Sequence, residues 1–196
     1  MTVAEFDWLD GLEKPASESD PLHRVRSLTP ERYGWVTATP QGASAFDNQC
    51  NECGHDGNTR HSTEKGLDGR MRPSKRTPIR CTQCGLPLPR PSMVDKKTGR
   101  RRIISAHLNS YGRMRGDRPA LTLKQNFIGF ESGMHLHPTQ HRTLSPREAL
   151  AVHTVSKYGY DWGDAGTKQV ASAIGESVPP LFFEMLARHL VIVTGV

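Results

Sequence analysis

Apolar material is scarce in this chain. Hydrophobic residues make up 35% and aromatic residues 7% of its 196 residues, and 14 prolines and 18 glycines interrupt what remains. The mean hydropathy is −0.58. Such a composition predicts a loop-rich molecule of one domain, or two small ones, and excludes a single large core. There is no run of 18 apolar residues of the kind that spans a bilayer, and Glu5, Asp7 and Asp10 stand where a secretory leader would be positive. The expectation is a soluble, cytoplasmic chain with no membrane partner. No internal repeat is found. Negative charge is also short: 20 acidic against 26 basic residues give a formal charge of +6, and the pI is near 9.4. That excess favours a polyanionic partner, because Lys and Arg that neutralise phosphates release condensed counterions.

Cysteine is rare but ordered. Cys50-x-x-Cys53 and Cys81-x-x-Cys84 are the chain's four cysteines, and each pair is followed at once by glycine, Gly54 and Gly85. Two such knuckles predict a zinc ribbon over residues 50–85, in which four thiolates close a tetrahedral structural site and leave no vacancy for catalysis. Disulfides are the alternative, but a redox Cys-x-x-Cys belongs in a thioredoxin-like strand-helix setting, and these pairs are flanked by Asn, Asp, Gly and Pro. With the site closed, His55 and His61 are expected on the surface.

Basic residues crowd the same interval. Arg60, Lys65, Arg70, Arg72, Lys75, Arg76 and Arg80 face only Glu64 and Asp68 between the knuckles, and Lys96, Lys97, Arg100, Arg101 and Arg102 follow. Arg113, Arg115 and Arg118 lie beside Asn109, Ser110 and Tyr111. A charge run is usually a solvated face. Around a ribbon, Arg72, Lys75, Arg76, Arg100, Arg101, Arg102, Arg113, Arg115 and Arg118 are the candidates for phosphate and base contacts with double-stranded DNA.

Residues 1–49 are read as an N-terminal segment. Phe6, Trp8, Leu9 and Leu12 make a short amphipathic stretch, a linker spans 15–21, and a strand covers Tyr33 to Thr39. Further strands are expected at 102–106 and 120–127, with a bend between them. Ser145-Pro146-Arg147-Glu148 is a capping box with proline at the first helical position, which starts a helix over 146–156. A second helix over 167–174 is expected to stop at Gly175 as a left-handed cap. A third, over Leu181 to Leu190, is apolar around most of its circumference and needs cover.

Three stretches resemble, in order, the end of the DNA cytosine-5 methyltransferases. Arg118-Pro119-Ala120-Leu121-Thr122 looks like the close of the target-recognition region. His137-Pro138 with Arg142-Thr143-Leu144-Ser145-Pro146-Arg147-Glu148 looks like the penultimate block, and Ile174-Gly175-Glu176-Ser177-Val178-Pro179-Pro180 like the last. The resemblance covers about residues 107 to 192. It implies an α+β chain: a small mixed DNA-recognition domain with the inserted ribbon, its remainder over 86–142, and C-terminal helices over 143–196 that complete an α/β methyltransferase domain. It also implies that Arg142, Arg147 and Glu148 organise the joint between DNA-reading and catalytic parts. Glu176, where the family has asparagine, and Ser177 would lie by the S-adenosylmethionine pocket. The family's nucleophile sits in a Pro-Cys dipeptide, whereas these cysteines follow Gln49, Glu52, Arg80 and Gln83, and the glycine-rich cofactor turn is absent. The resemblance therefore implies a non-catalytic portion, with structural zinc as its own metal. S-adenosylmethionine would bind only in complex with a separate catalytic subunit docked on residues 181–190, in a bacterial, archaeal or phage-infected cell.

Two other readings compete. Val170-Ala171 through Ile174-Gly175 and Ser177, followed by a helix, also resembles a helix-turn-helix, which would make the chain a zinc-ribbon transcription regulator. A methyltransferase remnant that binds DNA without an enzymatic partner is the other.

Overall fold

The computed structural model describes residues 20–74, 76–104 and 110–195. The amphipathic stretch at Phe6 to Leu12, Asn109 and the DNA candidate Lys75 lie outside them. Helices and short strands are mixed: α1 (Pro30–Thr37), β1 (Thr63–Lys65), β2 (Met71–Pro73), β3 (Ser92–Val94), β4 (Arg101–Ile103), α2 (Pro146–Val152), α3 (Thr167–Glu176) and α4 (Pro180–Thr194). The strands form two antiparallel hairpins, with Lys65 opposite Met71 in one and Val94 opposite Arg101 in the other. The chain divides into two compact units. One comprises Ser27–Leu121 and Gly129–Thr143; the other comprises the described parts of Met1–Arg26, Thr122–Ile128 and Leu144–Val196.

The first, ribbon-bearing unit concentrates the few aromatic residues. Trp35, Val36, Ala45, Phe46, Tyr111, Phe130 and Leu136 form its core. Tyr111 is at the centre, with the rings of Phe130, Phe46 and Trp35 edge-on at 5.0, 5.5 and 6.5 Å. Edge-to-face contact lets a positive ring edge meet a negative face, so three such pairs add to the burial itself. Residues 33–37 are helical, which corrects the strand expected at Tyr33 to Thr39. Thr29 accepts the Arg32 N–H at 3.3 Å, with Pro30 in the first turn. A cap and a proline thus outweigh weak alternation.

The second unit is built on α2 and α3. The capping box forms: Ser145 Oγ accepts the Glu148 N–H at 3.2 Å and Glu148 Oε2 accepts the Ser145 N–H at 2.7 Å, both buried. The helix is shorter than expected, giving way to a 3-10 turn over Val155–Tyr158. α3 buries Val170, Ala171 and Ile174, one face of a helical turn. It does not stop at Gly175 but runs through it to Glu176. This glycine serves close approach rather than a cap, since a Cβ there would stand 2.2 Å from the Gln125 backbone nitrogen. Residues 120–127, expected as a strand, contain turns and no strand.

α4 buries none of its residues. Phe182, Phe183, Met185, Leu190, Val191, Ile192 and Val193 are all more than half exposed. Together, Thr167–Thr194 are long and apolar enough by composition to cross a membrane, but the stretch is two helices parted at Ser177–Pro179. α4 alone, 15 residues, is about 22 Å long, short of a hydrocarbon core of about 30 Å.

Candidate metal centre and nucleic-acid interface

The two knuckles repeat one local design. Cys50 N–H donates to the His55 carbonyl and Gly54 N–H to that of Cys50; likewise Cys81 N–H donates to Leu86 and Gly85 N–H to Cys81, all at 2.8–3.0 Å. Gly54 and Gly85 take left-handed backbone, φ 69° and 73°. A side chain would be strained there, which is why glycine closes each turn. The result brings four sulfurs within 4.8 Å of one another. Cys50 Sγ lies 3.6 Å from Cys84 Sγ, and Cys53 Sγ 3.7 Å from Cys81 Sγ. Disulfides would need about 2.05 Å, so the thiols are free. Zinc with four bonds of about 2.3 Å places its sulfurs about 3.8 Å apart, and the residues fit that ion.

Asn58, buried and absent from the sequence expectations, supports the cluster. Its Nδ2 donates to Cys81 Sγ at 3.8 Å, and its Oδ1 accepts the Thr82 N–H at 2.9 Å. Burial pushes the Cys81 thiol up, but N–H donors from Cys84 and Gln83, with Asn58, carry it down to about 6. Cys53 behaves oppositely. The His55 amide favours its thiolate, yet desolvation and the three neighbouring sulfurs push it up to about 12. Four thiolates this close repel one another unless a cation sits among them, and that is the chemistry a divalent ion supplies. Of the two nearby histidines, His55 Nε2 reaches Thr82 Oγ1 at 3.2 Å. His61 is not simply a surface residue: its ring lies 4.5 Å from that of Phe46, and burial lowers its pKa.

The hairpins display the basic residues. β1–β2 carries Lys65, Arg70 and Arg72, all exposed, with Arg72 paired to Asp68 at 2.6 Å. In β3–β4 the Asp95 carboxylate accepts the Lys97 and Thr98 amides at 2.8 and 3.0 Å, so the tip holds Lys96, Lys97 and Arg100 in solvent. Those amides, Thr98 foremost, keep the Asp95 carboxyl below its usual range. Arg101 pairs with Glu31 and Arg102 with Asp95. Arg76 is exposed. Arg115 is bound to Asp117, and with Arg118 it borders a groove of about 200 Å³ along Pro119, Ala120 and Leu121.

Arg113 requires correction as a DNA candidate. Its guanidinium is enclosed, and its donors go to the carbonyls of Thr39 (2.7 Å), Val36 (2.7 Å), His137 (2.5 Å) and Gln140 (2.6 Å) and to His141 Nδ1 (3.3 Å). A guanidinium has five N–H groups, and none is left for a phosphate. Arg90, which no motif marks, does similar work. It is buried, bonds to the carbonyls of Pro78 and Asn48, and burial brings it down to about 10.

The residues carried over from the sequence blocks are all engaged within their own units. In the ribbon-bearing unit, Arg142 Nε donates to Gln140 Oε1 at 2.6 Å and its Nη1 to the Thr143 carbonyl at 3.1 Å. His137 Nδ1 accepts the Thr139 and Gln140 amides, shaping the turn after His137-Pro138. In the other unit Arg147 pairs with Asp20 at 2.8 Å, and Glu148 belongs to the buried cap. Glu176 Oε1 accepts from Gln125 Nε2 and Ser172 Oγ, and Ser177 Oγ donates to the Ile174 carbonyl.

Comparison with known proteins connects part of the chain to methyltransferases. The chain is 34% identical over 79 residues to the Type II methyltransferase M1.BsuMI of Bacillus subtilis (strain 168), covering 40% of this chain and 18% of that protein. It is 32% identical over 83 residues to the Type II methylase M.HgiDII of Herpetosiphon aurantiacus, covering 41% and 23%. The aligned part thus spans less than a quarter of either relative. No family model matches.

Proposed function

We propose that this chain is the target-recognition and C-terminal portion of a DNA (cytosine-5)-methyltransferase, completed by a separate catalytic domain that holds S-adenosylmethionine and supplies the nucleophilic cysteine. The partial likeness to two Type II methyltransferases supports the enzyme class. The observation that carries the division of labour is α4, a helix with no buried residue and a nearly continuous apolar surface. Burying a side chain of this kind is worth about 1.5–3 kcal/mol, so covering several of them would hold a partner firmly.

In this reading the cysteines bind one zinc and stiffen the ribbon. The exposed cations of the two hairpins, with Arg76, Arg115 and Arg118, grip phosphates and contribute to site choice. Arg142, Arg147 and Glu148 organise the joint, and Glu176 and Ser177, at the end of α3, face the cofactor only in the completed assembly. S-adenosylmethionine would bring the methyl group; this chain's part is to orient DNA and wall the pocket. The helix-turn-helix alternative is not favoured, because a groove-reading helix needs a polar, basic side, and on α4 the charged residues are Glu184 and Arg188, bound to each other at 2.8 Å.

Co-expression with the adjacent open reading frame, followed by methyl transfer from labelled S-adenosylmethionine to DNA and analysis of the modified base, tests this reading. The expected result is 5-methylcytosine only when both polypeptides are present. Activity from this chain alone, or methylation of another base, would overturn it.

A further inference from the structure

Leu67 is out of keeping with its surroundings. It sits at the tip of the β1–β2 hairpin with its side chain wholly in solvent, at 114% of its reference exposure. Tight turns are ordinarily built from Gly, Asn, Asp, Ser or Pro, and nothing in the hairpin's own geometry calls for leucine. The tip is held in one shape. Gly69 N–H donates to the Gly66 carbonyl at 2.9 Å and Gly66 N–H to that of Arg70 at 2.8 Å. Gly69 is left-handed, φ 75°, the pattern of a three-residue hairpin loop closed by glycine. Asp68 braces the arm: Oδ1 accepts the Arg70 N–H at 3.2 Å and Oδ2 the Arg72 guanidinium at 2.6 Å. Leucine is thus presented on a pre-shaped arm whose neighbours Lys65, Arg70 and Arg72 are exposed cations.

Charge depletion marks the centre of protein interfaces, and lysine is under-represented there. A leucine between cations suits duplex DNA better. Cations engage phosphates at a groove's edges while an apolar side chain enters between base steps and partly unstacks them. A two-stranded ribbon fits the major groove by width, and strand readers also occupy the minor groove, the side from which such wedges enter. We infer that the β1–β2 hairpin enters a groove of double-stranded DNA and that Leu67 wedges against the base stack, with Lys65 and Arg70 on flanking phosphates and Arg72 bracing the arm. This rests on the DNA-binding reading above and names the element that deforms the duplex.

The test compares binding of the zinc-loaded full chain to two short duplexes, identical except for one central mismatched pair, which costs less to unstack. Wild type should prefer the mismatched duplex by about tenfold. Leu67→Ala should bind both alike, with unchanged zinc content and melting temperature, since the exposed side chain supports nothing in the fold; Leu67→Met should restore the preference. Arg70→Ala should weaken both duplexes equally and reduce the slope of log affinity against log salt by about one. Equal binding of the two duplexes by wild type, or a preference that survives Leu67→Ala, overturns the wedge and leaves DNA binding standing. Failure of zinc-loaded wild type to bind either duplex overturns both readings.

Discussion

In the core centred on Tyr111, four aromatic rings, two aliphatic side chains and Ala45 are enclosed, and in the same unit two arginines are buried and bonded to backbone carbonyls. Along α4, two phenylalanines, a methionine and several aliphatic residues stand in solvent. The two regions belong to one chain with little apolar material, so the contrast is not a matter of supply. The ribbon-bearing unit closes its interior with polar ties and a cluster of four cysteines, whereas α4 is attached by polar contacts near its start. Leu181 N–H donates to Thr154 Oγ1 at 3.2 Å, and Glu184 accepts the Tyr158 hydroxyl at 2.6 Å. That tyrosine contact, with Arg188 and Lys157, holds the Glu184 carboxyl low. One region encloses its apolar side chains and the other leaves them uncovered.

The largest test of this contrast is metal removal. Structural zinc supplies about 10–16 kcal/mol in isolated zinc-finger peptides, so Cys81→Ser should lose zinc, measured as metal per chain, and expose residues 50–85 to proteolysis. Retention of one zinc by the variant would mean that the four sulfurs do not act as one site. Next is Arg113→Met, which leaves buried carbonyls without a donor at about 1–3 kcal/mol each; denaturant unfolding should show a loss of several kcal/mol, and a loss near zero would return Arg113 to the surface. Gly175→Ala should follow, at about 1–3 kcal/mol of overpacking, because its new methyl would meet backbone at Gln125.

Smaller still is a pH effect. His153 ends α2 and is buried, and burial holds its pKa below the ordinary 6.5. Above that value the ring is neutral folded or unfolded and costs nothing. As pH falls from 6.5 toward the lower folded value the unfolded state takes the proton first, so stability declines. Urea midpoints of His153→Leu should decline less over that window than those of wild type; parallel curves would show that the ring has access to water. The smallest expected change is Phe183→Glu: an exposed site should move stability within about 0.5 kcal/mol, while solubility rises and partner capture is lost. A large drop in melting temperature would show that α4 does have cover of its own.

What the sequence disclosed follows from how local each signal is. The knuckles and the Ser145–Glu148 cap were readable because ligand spacing and capping residues sit within a few positions of one another. The apolar circumference of α4 is equally local, but its exposure is not, since a helix apolar all round ordinarily ends up buried. The role of Arg113 is not legible in sequence because it depends on carbonyls of Val36, Thr39, His137 and Gln140 converging from distant stretches, and an arginine in a basic run looks the same either way. The close approach at Gly175 is not legible because the segment that meets it, at Gln125, is remote in sequence. The helix at Pro30–Thr37 is signalled locally by Thr29 and Pro30, and the weak alternation after them competes with that signal.

The Ser74 N–H reaches the Ser62 carbonyl at 2.6 Å, so the segment bearing the arm leaves and rejoins the ribbon at almost one point. Insertions are best tolerated at exposed loop tips. A stretch anchored in this way can be lengthened, trimmed or swapped for another while its mounting stays put.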